Sequence, residues 1–139
     1  MLLLNHLNNL YNYFCPSTDK PGPPGMPEVT GTDNKSVALK WTVPESDGGA
    51  PIFNYVVEYR LETSRSWERA NLKGDNVAET TYSVQGLREG KEYCFRVSAE
   101  NKAGVGEPSK PTAPVKVVKP IGRPMYSHYL SFHVFCMLL

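Results

Sequence analysis

The sequence predicts an all-β domain, a seven-stranded antiparallel β-sandwich, and three observations carry that prediction. Apolar residues in the central part recur at every second position, as in Val37, Leu39 and Trp41, which is the period of half-buried strands. Clusters of Gly, Pro, Asn and Asp separate these runs at the roughly 8–12-residue spacing typical of sandwiches and barrels. No long amphipathic helix intervenes, so units in which a helix connects parallel strands are excluded.

The strands follow in order from this alternation. The clearest pattern lies in residues 92–101, where Tyr93, Phe95, Val97 and Ala99 share one face. The first and last strands carry the weakest pattern. The seven predicted strands are residues 26–32, 36–42, 52–60, 66–70, 80–84, 92–101 and 114–119.

Composition divides the chain into three parts. Prolines and glycines crowd residues 15–27 and favour an extended linker there, and further prolines punctuate the chain after residue 110. We therefore expect an N-terminal tail at residues 1–20, one domain at residues 21–119 and an apolar tail at residues 120–139. The first tail is either disordered or a short amphipathic helix. The apolar end of the second, about 16 Å long as a helix, is too short for a membrane span of roughly 30 Å.

Charge and cysteine content restrict the partners and the compartment. The 139 residues carry 15 Lys and Arg against 14 Asp and Glu, a formal charge of +1 that gives no field for gathering nucleic acid. Three cysteines, Cys15, Cys94 and Cys136, cannot all pair within one chain. The sequence therefore favours a reducing compartment and predicts no nucleic-acid partner.

Catalytic and cofactor sites are not predicted. The three histidines, His6, His128 and His133, lie in the tails, so no Ser-His-Asp or Cys-His arrangement can form within the domain. His128, His133 and Cys136 do not have the spacing of a zinc site. The run Gly104-Val105-Gly106 lacks the third glycine and the helix of a phosphate cradle, and we interpret it as part of a tight turn. We expect no enzyme activity, no cofactor, no metal and no small-molecule substrate.

Three surface features have both a structural and a functional interpretation. Cys94 alternates with inward residues and is expected to point outward beside Glu92 and Arg96, on a solvated face that also includes Lys91, Ser98 and Glu100. The exposed run Lys73-Gly74-Asp75 is similar to an integrin-binding signal, but we favour a turn between strands, for which backbone geometry selects these residue types. Asn34-Lys35-Ser36 is a glycosylation sequon if the chain is secreted.

Several motifs together resemble a known family. Trp41 on the second strand, the run from Tyr55 to Arg60, and the run from Leu87 to Tyr93 resemble a fibronectin type III domain. The resemblance implies an immunoglobulin-like sandwich, in which the Tyr93 hydroxyl bonds back to the chain near Leu87. Residues 21–24, 47–52 and 101–109 are similar to the domains repeated in giant sarcomeric proteins, titin and twitchin among them.

The resemblance also implies a function. It suggests a non-catalytic structural and protein-interaction module from a giant muscle filament protein, a spacer and docking surface in the cytoplasmic sarcomere. Its expected partners are proteins, such as myosin or other filament proteins. The alternative is an extracellular adhesion or receptor ectodomain module, which Asn34 and the Lys73-Gly74-Asp75 run keep open.

Two sets of residues carry these expectations. The expected core contains Trp41, Tyr59, Tyr82, Leu87, Tyr93, Phe95 and Val97. The candidate interaction loops contain Asp47, Gly48, Gly49, Lys73, Gly74, Asp75, Asn101, Lys102, Gly104 and Gly106.

Overall fold

The computed structural model describes residues 17–121, which form strands, turns and bends without a helix. The suggested N-terminal helix, the apolar C-terminal run, the three histidines, Cys15 and Cys136 lie outside these residues. Nothing in the described part of the chain is helical, long and apolar enough to cross a bilayer.

Eight strands form in this region, and every pairing between them is antiparallel. They are β1 Glu28–Thr32, β2 Val37–Lys40, β3 Asn54–Leu61, β4 Glu68–Arg69, β5 Thr81–Val84, β6 Glu92–Asn101, β7 Gly104–Pro108 and β8 Val115–Lys116. One sheet has the order β1-β2-β5, and the larger sheet has the order β4-β3-β6-β7, with β8 also on β6. The predicted all-β antiparallel sandwich is confirmed.

The last edge of the larger sheet differs in detail from the prediction. Residues 104–108 carry two glycines and a proline and were expected to be a loop, but they pair with the end of β6 as β7, while β8 pairs with its beginning. Because β3 occupies the other side of β6, β7 and β8 are two pieces of a single edge. Counted by position, the sandwich therefore has seven strands.

Side-chain hydroxyls bridge the gap between the two pieces. The backbone N–H of Val97 donates to Ser109 Oγ at 3.1 Å, and that of Phe95 donates to Thr112 Oγ1 at 3.1 Å. In return, the N–H groups of Ser109 and Thr112 donate to the carbonyls of Val97 and Phe95. The ladder thus stays paired through a segment in which Pro111 has no N–H to give.

The core lies between the two sheets and is built largely from the alternating residues. Trp41 and Tyr55 meet edge to face with ring centroids 5.4 Å apart. Each buried Val, Leu or Phe contributes about 1.5–3 kcal/mol. The structure buries Trp41, Leu87, Tyr93, Phe95 and Val97, and it leaves Tyr59 and Tyr82 half-buried at the margin. The buried core cluster is Val37, Leu39, Trp41, Tyr55, Val57, Val84, Leu87, Tyr93, Phe95, Val97, Ala99 and Val117.

Candidate interaction surfaces

An extended segment ahead of β1 packs on one end of the sandwich. We call residues 17–27 the N-terminal strap. The N–H groups of Asp19, Gly22 and Gly25 donate to carbonyls of the β2–β3 loop, at 2.8 Å to Gly48, 2.9 Å to Ser46 and 3.1 Å to Thr42. The strap is therefore bonded to the domain like an additional strand, rather than hanging from it as a free linker.

Two glycines allow the strap to approach this closely. A Cβ built on Gly48, whose φ is +73°, would lie 2.1 Å from the carbonyl oxygen of Asp19. A Cβ on Gly106 would lie 2.1 Å from the carbonyl oxygen of Pro21. Since backbone atoms cannot move aside as a flexible side chain can, the strap requires glycine at both positions.

Asn101 corrects one expectation about the interaction loops. It was expected to be available in an exposed loop, but it is 1% exposed. Its Nδ2 donates to the carbonyl oxygens of Asp19 and Asp47, at 2.7 Å each, and its Oδ1 accepts from the Ala103 N–H at 2.8 Å. Asn101 therefore joins the strap, the β2–β3 loop and the β6–β7 turn. These three hydrogen bonds satisfy its amide group and allow it to be buried.

The other loop candidates at this end remain accessible in part. Asp47, Gly49 and Lys102 are exposed, whereas Gly48, Gly104 and Gly106 are half-buried. Asp47 Oδ1 accepts from the Gly49 N–H at 2.8 Å, which fixes the turn through its side chain.

The Lys73-Gly74-Asp75 run forms an exposed turn between β4 and β5. The Asp75 N–H donates to the Leu72 carbonyl at 3.1 Å, and Gly74 has a φ of +106°. Asn71, 1% exposed, anchors this turn to the edge of β3, where its Oδ1 accepts from the Val57 N–H at 2.9 Å. The structure therefore attaches this turn to β3, whereas Asn101 attaches the strap to the end of β6.

The exit from the sandwich lies at the end opposite to the strap. The Val117 N–H donates to the Lys91 carbonyl beside the start of β6, whereas Asn101 holds the strap at the end of β6. Ten residues of strand separate these points, about 30 Å. The Arg88 N–H donates to the Tyr93 hydroxyl at 3.2 Å at the exit end, as the family resemblance implies.

A tryptophan on the outer face of the larger sheet was not singled out from the sequence. The Arg96 guanidinium carbon lies 4.3 Å from the centre of the Trp67 ring, and that of Arg60 lies 5.1 Å from it. Arg96 Nε also binds Glu58 Oε2 at 2.7 Å. The sequence places Arg60 and Arg96 on outward positions of two predicted strands, but only the structure shows that both contact the Trp67 ring.

Cys94 corrects a second expectation. It was expected to be an accessible outward residue, but it is 5% exposed, and Ser98 on the same face is also buried. β6 is a central strand, and the register places the long side chain of Arg60 directly opposite Cys94. The longer neighbouring side chains cover the Cys94 thiol from water. A role for Cys94 as a reactive surface thiol is therefore not supported.

Two tyrosines have altered acidity. Burial raises the pKa of the Tyr55 phenol above its ordinary value. Burial also raises the pKa of Tyr59, and the hydrogen bond from its hydroxyl to Glu68 Oε2 at 3.0 Å adds to that effect. Both shifts favour the neutral phenol.

The described residues offer no cluster of three His, Cys, Asp or Glu side chains suited to a metal ion. Asn34 of the sequon lies exposed in the turn between β1 and β2, where the Asp33 N–H donates to the Ser36 carbonyl.

Comparison with known proteins relates this architecture to a described family. The family profile "Fibronectin type III domain" matches residues 22–115. The "Titin homolog" of Caenorhabditis elegans is 38% identical over 106 residues, 76% of this chain, and human "Myosin-binding protein C, fast-type" is 34% identical over 113 residues, 81% of this chain. The chain spans 10% of the second protein, and its share of the first rounds to 0%.

A solved structure agrees with this result. A crystal structure of titin domains A168-A170 superposes with a TM-score of 0.68 at 40% identity, over 73% of this chain and 33% of that one.

Proposed function

This chain belongs to the fibronectin type III family, and from that premise we propose that it is a structural and protein-interaction module of a muscle filament protein. In this role the domain acts as a spacer and as a docking surface. Fibronectin type III domains of titin-like proteins are generally non-catalytic, and we extend that to this chain, with no cofactor. The relatives named above support the muscle assignment, and the fold supplies the geometry.

The observation that carries the spacer role is the placement of the two chain ends. The strap is bonded at one end of β6, and β8 leaves at the other, about 30 Å away. Modules with this arrangement add length when they are linked in series. Because the strap is hydrogen-bonded to the β2–β3 loop, the direction in which the chain enters is fixed relative to the body.

In the docking role the partners are proteins, and the expected partner is myosin or another filament protein. One relative is named for binding myosin. The accessible candidates are Asp47, Gly49 and Lys102 near the strap and the turn at residues 73–75. We place the protein in the cytoplasm, in the sarcomere.

Sedimentation with filaments tests the docking role. The full chain should pellet with purified myosin filaments in a saturable manner and stay in the supernatant without them. An antibody to the chain should give a striated pattern in muscle sections. A chain that stays in the supernatant and stains outside the myofibril, or a native protein with a glycan on Asn34, would instead support the extracellular alternative.

Amide exchange tests the fixed strap. The N–H groups of Gly22 and Gly25 should exchange slowly, because each donates to a loop carbonyl. The Gly106→Ala variant should lose this protection, since its Cβ would meet the Pro21 carbonyl. Gly31→Ala is the matched control, because nothing lies within 4 Å of its added Cβ. Equal protection in both variants would contradict the strap as a fixed element.

A further inference from the structure

The outer face of the larger sheet carries a preorganised cationic surface. We define the arginine-tryptophan patch as Glu58, Arg60, Trp67, Arg69 and Arg96. Register places Glu58 directly opposite both Arg69 on β4 and Arg96 on β6, so these three side chains share a face. The Trp67 ring lies against the guanidinium groups of Arg60 and Arg96. The patch is therefore continuous across three strands.

The arginines of the patch are held in place by groups of the domain itself. Trp67 stacks on two of them, a contact worth more for Arg than for Lys because the guanidinium is planar. Arg60 Nη1 also donates to the Ser64 carbonyl at 2.5 Å, and Arg96 Nε donates to Glu58. An ordered guanidinium loses less entropy when it binds a ligand than a free surface side chain does.

The charge of the patch is unbalanced. Three arginines face one carboxylate, Glu58, and Arg96 already binds that carboxylate. The nearby acidic groups lie outside the patch: Glu100 and Glu92 lie at the two ends of β6, with Glu92 opposite Lys116, and Glu62 lies just past the end of β3. The five residues of the patch thus carry a net charge of about +2 around an aromatic ring, in a chain whose formal charge is +1.

We propose that the arginine-tryptophan patch docks an acidic, Asp- and Glu-rich segment of a partner protein. Carboxylates would bind the free edges of the guanidinium groups, and the Trp67 ring would contact the aliphatic stems of the segment. The inference rests on the docking role proposed above and assigns a surface to it. Trp and Arg are the residue types that dominate binding energy at protein interfaces, which suits a patch built from both.

The test uses a fluorescent ten-residue polyglutamate peptide and the full chain labelled with ¹⁵N. The chain has two tryptophans, so its NMR spectrum contains two indole N–H signals. Trp41 is 3% exposed and reports on the core, whereas Trp67 reports on the patch. Addition of the peptide at low salt should shift the Trp67 signal and leave the Trp41 signal in place, and binding should weaken as salt is added.

Charge reversal provides matched variants. Arg69→Glu alters an exposed member of the patch and should weaken peptide binding about fivefold or more. Lys40→Glu reverses the charge of an exposed residue on β2, in the other sheet, and should leave binding within about twofold. Equal weakening by the two variants, an unmoved Trp67 signal or no binding at low salt would overturn the proposal.

Myosin sedimentation separates this proposal from the function it rests on. If the chain binds filaments but the peptide does not shift Trp67, the patch assignment fails and the docking role stands. If the peptide binds at Trp67 as expected but filaments are not bound, the patch stands as an acidic-segment site and the myosin assignment fails.

Discussion

Removal of the Asn101 side chain should loosen three parts of the domain at once. Asn101→Ala deletes two hydrogen bonds to the carbonyls of Asp19 and Asp47 and one from the Ala103 N–H. The strap loses its bond to the end of β6, and the β2–β3 loop loses its bond to the β6–β7 turn. The change therefore acts on both stability and strap attachment.

The magnitude follows from these contacts. A hydrogen bond contributes a net of about 0.5–1.5 kcal/mol, so three of them account for about 1.5–4.5 kcal/mol. Because Asp19, Asp47 and Ala103 are exposed, water can reach the groups left unpaired, which keeps the cost near the lower end. Asn101→Asp should cost more at neutral pH, since it retains the acceptor for Ala103 but places a negative charge against two carbonyl oxygens.

Urea unfolding of the full chain measures these effects. Asn101→Ala should lower the free energy of unfolding by about 1.5–3 kcal/mol, the lower part of that range. Asn34→Ala, in an exposed turn, serves as the control and should change it by less than about 0.5 kcal/mol. The Asp variant should recover stability relative to the wild type as pH falls, because its carboxyl has a raised pKa in the fold and protonation removes the charge. An Asn101→Ala variant as stable as the control would refute the reasoning.

Three further outcomes are expected from single changes. Tyr93→Phe removes the acceptor of the Arg88 N–H and should cost about 1–3 kcal/mol in urea melts; an unchanged midpoint would contradict the corner contact. Thr112→Val keeps the shape but leaves the buried Phe95 N–H without its acceptor, again at about 1–3 kcal/mol, and faster Phe95 amide exchange than in the wild type should accompany it. Stability should fall as pH rises past about 10, because the unfolded chain ionises Tyr55 and Tyr59 while the fold keeps both phenols neutral. Tyr59→Phe should reduce that dependence, and an unaltered pH profile would count against the Tyr59 shift.

Local patterns in the sequence were enough to predict the sandwich. Val37, Leu39 and Trp41 alternate because one face of their strand packs against the core. This pattern can be recognised within a few residues of sequence. The same holds for Phe95 and Val97 on β6. The turn at residues 73–75 was also predictable, because Gly and Asp are typical turn residues. In the structure Gly74 has the positive φ that glycine adopts easily.

Features that depend on distant partners were not predicted. Gly106 belongs to a strand because β6 offers its free edge, although its local sequence is that of a turn. Asn101 is buried by carbonyls up to 82 positions away. Cys94 is buried by neighbours across the sheet, and Trp67 meets two arginines from other strands. Alternation gives the face of a residue but says nothing of what covers that face.

The divided outer edge of the larger sheet has a consequence for chains that repeat such modules. Neighbouring copies would sit at high local concentration, where an open, continuous strand edge invites pairing between copies and misfolding. Here the hydroxyls of Ser109 and Thr112 accept hydrogen bonds from β6, and Pro108, Pro111 and Pro114 have no N–H to offer another strand. In such a chain, the interruption between β7 and β8 would keep neighbouring modules from pairing along this edge.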